Sequence, residues 1–149
     1  MTAPPPDAQL AGIRVVDLTR ILSGPFCTML LADLGADVIK IETPDGGDSV
    51  RQQGASRDGL SWYFANFNRN KRSVALDLRA AEGKALLERL IAGADVVVEN
   101  YRPGVLDEMG FGFDPCGRSG PTSSCAASRG SARPGPTATA PPSTSSPRP

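Results

Sequence analysis

Histidine is absent from this 149-residue chain. Its absence removes Ser-His and Cys-His nucleophile pairs and any imidazole acid or base. Acid, base or nucleophilic work is left to carboxylates, Lys, Tyr or Cys. Cysteine is scarce and odd in number: Cys27, Cys116 and Cys125 have no metal-ligand spacing, which argues against a disulfide framework and a zinc site alike. Cys27 lies inside an apolar helical stretch and reads as a small buried residue. No apolar run approaches the roughly 20 residues that span a bilayer, and Met1 to Gln9 lacks the basic-then-apolar layout of a secretory signal. Neither G-x-G-x-x-G nor G-x-x-x-x-G-K-[ST] occurs, so dinucleotide and P-loop chemistry are disfavoured. The expectations are a cytoplasmic chain with no metal site and no membrane partner.

The last segment lacks still more. Pro115 to Pro149 contains no Leu, Ile, Val, Phe, Asp or Glu and is filled with Pro, Ser, Thr, Ala, Gly and Arg. Such a composition does not offset the entropy of ordering a chain, so a disordered tail is expected over 115–149. The net charge of zero conceals the same division. Up to Asp114 there are 12 Lys+Arg against 16 Asp+Glu, while the tail adds Arg118, Arg129, Arg133 and Arg148 and no acid. The mildly acidic part leaves no footprint for nucleic acid. Residues 1–9 read as a flexible lead-in, and 10–114 as the part able to build a core.

Within that part, strand and helix patterns alternate. Ile13 to Leu18 is β-branched and apolar, as suits a buried strand. Ser23-Gly24-Pro25 opens a helix in which Phe26, Met29, Leu30, Leu31 and Leu34 recur at helical spacing before the Gly35 stop. Asp37 to Glu42 is a second strand, which makes a βαβ unit with parallel strands. Thr43 to Arg57 is polar and glycine-bearing, a long loop. Trp62, Tyr63, Phe64 and Phe67 fit one face of a short helix and read as a packing cluster. A second unit follows: a strand over Arg72 to Leu78, a helix over Ala80 to Ala92 ended by Gly93, and a valine-rich strand over Asp95 to Glu99. Pro103 to Gly110 resembles one more short helix. This order predicts an α/β fold, a doubly wound parallel sheet with helices on both faces.

In such a sheet ligands sit at the carboxyl ends of the strands. Taken singly, the polar residues there have plain structural readings. Lys71 and Arg72 read as solvated charges ahead of a strand, Asn100 as a cap for the next helix, and Arg79 as a surface residue.

Taken together and in order, five segments resemble the N-terminal region of the class III CoA-transferases. They are Gly24-Pro25, Gly35 to Glu42, Asn68 to Ser73, Leu76 to Arg79, and Val98 to Gly104. That family includes formyl-CoA transferase, carnitine CoA-transferase and α-methylacyl-CoA racemase, and the resemblance covers Leu10 to Asp114. It implies a Rossmann-like fold, an interlocked homodimer, and CoA or acyl-CoA as substrate together with a carboxylic acid rather than any permanently bound cofactor. The reaction it implies passes CoA between carboxylic acids through an aspartyl intermediate, with racemisation of an α-methylacyl-CoA as the alternative.

By the same resemblance, Ile21, Leu22 and Ser23 lie where the family approaches the thioester. Leu76 and Arg79 fall where it packs the adenine and pairs with phosphates, and Asn100 and Tyr101 match its Asn-aromatic pair beside the nucleotide. Planar Arg donors suit phosphate oxygens. Leu22 replaces the Gln of transferases acting on formyl-CoA, so that narrow specificity is not expected. An Arg that the family often carries near Glu108 is also missing.

The catalytic aspartate of the family lies well downstream, and no residue here matches it. Asp17, Asp37, Asp77 and Asp95 sit at strand and helix ends with ordinary structural explanations, so no catalytic residue is assigned. A one-base shift of the codons that encode Pro115 to Pro121 permits Ala-Leu-Arg-Ala-Leu-Arg-Pro. Continuing in that frame permits a strand, a glycine-rich turn and the Pro-Ala-Phe-Asp motif of the family. The expectation is an incomplete, truncated domain with an out-of-frame tail, inactive alone. A non-catalytic CoA-binding remnant is the reading from another class, and an NAD-dependent oxidoreductase is disfavoured by the missing glycine fingerprint.

Overall fold

The computed structural model describes residues 7–102 and 104–111, and the backbone of Ser124–Ala127. Strand β1 (Arg14–Asp17) leads through helix α1 (Ser23–Asp33) to β2 (Asp37–Glu42). A 3-10 turn (Ser49–Gln52) and the two-residue strands β3 (Ser56–Arg57) and β4 (Leu60–Ser61) precede α2 (Trp62–Asn68). Then come β5 (Arg72–Ala75), α3 (Ala81–Ala92), β6 (Val96–Glu99), the short α4 (Val105–Glu108) and β7 (Ser124–Ala127).

The main sheet has the order β5-β2-β1-β6-β7, and β3 pairs with β4 apart from it. Every pairing in the main sheet is parallel, with Val15 opposite Val38 and Val96, and Ile39 opposite Arg72. The parallel α/β sheet expected from the alternating pattern, Rossmann-like as the resemblance implies, is therefore present. Within 115–149, Ser124–Ala127 lies parallel against β6. The rest of 115–149 and Pro103 lie outside the described residues.

The alternation of each strand supplies two cores. Val16, Ile39, Ile41 and Val97 face Leu87 of α3 and Leu106 of α4, while Val15, Val38 and Val98 face Ala32 of α1. Gly35, at φ 101, accepts the left-handed conformation that stops α1, as its sequence position predicts.

Helix α1 corrects one reading. Its buried side is Gly24, Pro25, Thr28, Met29 and Ala32, with Leu31 packed beside it, so only part of the apolar stripe faces the core. Phe26, Leu30 and Leu34 are 43–46% exposed, and Cys27 is exposed as well. The start of α1 comes close to the turn after β1, where a Cβ on Gly24 would overlap the Thr19 side chain.

Candidate functional site

Two connections leave the carboxyl ends of adjacent strands β1 and β6, where the strand order reverses. That crevice is where open parallel sheets hold ligands. Asn100, just after β6, clamps the turn after β1. It accepts from the Arg20 N–H at 2.9 Å and donates to the Arg20 carbonyl at 2.8 Å. Asn100 is thus not a helix cap, since Gly104 occupies that place at α4 without a side-chain bond. The Arg20 guanidinium stands 5.6 Å from the centre of the Tyr101 ring. Burial pushes the Tyr101 hydroxyl pKa up, with Arg20 opposing.

Beneath this turn lies a group of buried charges. On the α1 side of the sheet the strands change character along their length, because Val15 and Val38 are followed two residues on by Asp17 and Lys40, and then by Glu42. Lys40 Nζ donates to the Thr19 carbonyl at 2.9 Å and pairs with Asp48 at 3.1 Å. Asp48 in turn accepts from the Ile21 N–H at 3.3 Å, and its own N–H donates to Glu42 at 2.9 Å.

Glu42 also takes both ends of the Arg51 guanidinium at 2.7 Å and the Ser73 hydroxyl at 2.6 Å. Burial alone would raise its pKa, but these donors, Arg51 foremost, hold it at about 2. Arg51 is pushed up in return and lies 3.7 Å from the Phe64 ring centre.

Asp17 is likewise saturated. It accepts from the Thr19 N–H at 2.9 Å and hydroxyl at 2.5 Å, from Thr28 at 2.6 Å and from Lys71 at 3.0 Å. Lys71 further donates to the Pro25 carbonyl and to Asn68. Burial pulls the Lys71 pKa down, and Asp17 works against that pull. Lys71 is therefore an interior ion, not the solvated charge its sequence context suggests; its neighbour Arg72 is exposed and paired with Asp37. Among the described residues no buried side-chain nitrogen or oxygen lacks a partner.

The residues singled out in sequence divide into two groups. Ile21, Leu22 and Ser23, together with Asn100 and Tyr101, meet at the crevice, and Ile21 and Leu22 are 54% and 44% exposed. Leu76 and Arg79 lie beyond the end of β5, at the edge of the sheet. Leu76 is packed in the core and extends the β2 ladder by a bond to the Glu42 carbonyl at 2.9 Å. Arg79 is exposed, its backbone held by Asp77.

Asp17 has the structural role its strand-end position implies, whereas the buried charges of Lys40, Glu42 and Asp48 were not singled out from the sequence. A signal was available: Lys40 and Glu42 alternate with Ile39 and Ile41 in a strand with two buried faces, where a charge needs a partner. Among the described residues no group of His, Cys, Asp or Glu is placed to hold a metal ion.

A parallel sheet with helices between its strands and a side-chain-clamped turn at its strand-order reversal defines a Rossmann-like α/β domain. The chain belongs to CoA-transferase family III, which it matches over residues 10–141. It is 49% identical over 106 residues to a formyl-CoA:oxalate CoA-transferase of Escherichia coli, covering 70% of this chain and 26% of that protein. A succinyl-CoA:glutarate CoA-transferase of Mus musculus is 47% identical over 113 residues, covering 75% and 26%. A crystal structure of a CAIB/BAIF family protein from Brucella suis superposes with a TM-score of 0.67 at 46% identity, over 71% of this chain and 29% of that one. The chain spans about a quarter of the length of the curated relatives it matches.

Proposed function

We propose that this chain is the CoA-binding N-terminal part of an acyl-CoA:carboxylate CoA-transferase. The observation that carries the reading is the crevice between β1 and β6, where Ile21, Leu22 and Ser23 face outward beside Asn100 and Tyr101. A thioester and its pantetheine arm are long and largely uncharged, which suits the apolar Ile21 and Leu22 side chains. Phosphates suit Arg79, an exposed fork of donors at the carboxyl edge of the same sheet. Relatives named as CoA-transferases support CoA transfer between carboxylic acids rather than racemisation. The acids themselves, and an interlocked homodimer, are part of the proposal for the whole protein.

Nucleophilic attack on a thioester needs a carboxylate with a free oxygen lone pair. Asp17, Glu42 and Asp48 are buried and occupied by donors, so none is offered as the nucleophile. On this reading the 149-residue chain binds CoA without turning it over. Calorimetric titration with CoA and, separately, with NAD tests the reading: CoA is expected to bind and NAD not to, and the reverse order would sink the assignment. Arg79→Ala should weaken CoA about tenfold, the worth of a charge-assisted hydrogen bond, with the difference shrinking as salt is added. No CoA release is expected from succinyl-CoA with glutarate.

The break in composition after Asp114 supports a one-base slip in the coding DNA. The family match continues to residue 141, which favours an in-frame tail. Sequencing from the codon for Phe113 to the next stop tests the slip: a shifted frame running open into family-like sequence is expected, and a shifted frame that closes or is unlike the family refutes it.

A further inference from the structure

The turn after β1 is held in a conformation that its own residues disfavour. Ile21 has φ 72, and a β-branched side chain in the left-handed region is an outlier that persists only where the surroundings over-determine it. Here they do. The Thr19 N–H goes to Asp17 and the Thr19 carbonyl to Lys40; both backbone groups of Arg20 go to Asn100, and the Ile21 N–H goes to Asp48. Successive polar groups of the backbone are thus each taken by a side chain from the strand ends or from Asp48.

The Ile21 side chain does not explain the strain, because it is 54% exposed and belongs to neither core. Global stability does not explain the clamp either. Side chains of Lys40 and Asp48 are each 1% exposed, and an apolar pair of similar volume is often as stable as a buried ion pair, or more so. What the pair does that an apolar pair would not is grip the backbone at Thr19 and Ile21. Lys40 and Asp48 come from β2 and the connection after it, so the grip transmits the rigidity of the central sheet to the turn.

We propose that Lys40 and Asp48 are positioning residues, whose buried pair fixes the Thr19–Ile21 backbone so that Ile21 and Leu22 present one rigid edge to the acyl-CoA. The ligand in this statement rests on the function proposed above; the positioning itself does not.

Two readouts on the same samples keep these apart. The first is the backbone conformation of residue 21 without ligand, from NMR couplings and carbon shifts that report φ. The second is CoA affinity by calorimetry. Asp48→Asn keeps the shape but removes the charge that pairs with Lys40. It is expected to move residue 21 out of the left-handed region and to weaken CoA at least tenfold. Adding Ile21→Gly, which accepts positive φ without strain, is expected to restore both. Should Asp48→Asn fail to fold, the double variant Lys40→Met/Asp48→Leu replaces the pair with apolar bulk. It should unfold no earlier than the parent on heating, yet release the turn.

A left-handed residue 21 in the folded Asp48→Asn chain, or in the Lys40→Met/Asp48→Leu chain, overturns the proposal. So does a failure of Ile21→Gly to restore the conformation. If the parent chain binds no CoA while residue 21 responds as stated, the ligand assignment falls and the positioning stands.

Discussion

Lys71 carries the largest single-residue expectation. Its ammonium is buried against Asp17, Asn68 and the Pro25 carbonyl, so it joins β1, the start of α1 and the end of α2. Lys71→Met leaves the Asp17 charge buried with neutral donors only, and breaking a buried pair from one side costs about 3–5 kcal/mol. Denaturant unfolding should register that loss, and a change below about 1 kcal/mol would show that Thr19 and Thr28 alone satisfy the carboxylate.

Glu42 adds a dependence on pH. Its carboxyl pKa is about 2 in the folded chain against an ordinary 4.5. A lowered acid contributes stability that is fully present above 4.5 and is lost as pH falls from 4.5 toward 2. The unfolding midpoint should therefore drop across that window in the parent and stay flatter in Glu42→Gln.

At the scale of elements, close approach outranks propensity. Gly83 lies inside α3, where Ala would ordinarily gain about 1 kcal/mol as a helix former. A Cβ there would overlap the Asp77 carbonyl, which is backbone and cannot swing away. Gly83→Ala is therefore expected to destabilise the chain by about 1–3 kcal/mol, the usual cost of overpacking. A gain in thermal midpoint would mean that the connection from β5 to α3 yields instead. Helix α1 follows the same logic at Gly24 against Thr19. The helix turns Gly24, Thr28 and Ala32 inward and leaves Phe26, Leu30 and Leu34 to solvent.

For the whole molecule the consequence is an apolar stripe one helix long. Phe26, Leu30 and Leu34 recur every four residues and so line one face of α1, and Phe26 meets the Phe67 ring of α2 edge-on at 6.1 Å. Strand β5 lies at the edge of the main sheet. Exposed apolar stripes and open strand edges favour association. The apparent mass of the 149-residue chain by light scattering should rise with concentration, and Leu30→Glu should hold it nearer the monomer value without changing the thermal midpoint by more than a degree or two. Equal apparent mass from both proteins at matched concentration would assign association to another surface.

Much of this protein is determined by local sequence. The apolar runs at Val15-Val16, Val38-Ile39 and Val96 to Val98, separated by one helix or one unit, dictate parallel strands with helices between them. Gly35 and Gly93 mark where α1 and α3 end. The order of segments from Gly24-Pro25 to Val98-Gly104 was enough to indicate the family.

Three features were decided only in three dimensions. That position 24 has no room for a Cβ depends on Thr19, which comes close to Gly24 only after β1 and α1 pack. Whether Lys71 is solvated depends on Asp17, 54 residues away. Asn100 clamps Arg20 across 80 residues, because β1 and β6 become neighbours in the sheet. Periodicity records how much of a side chain is apolar, whereas a buried charge is settled by the partner that folding brings to it.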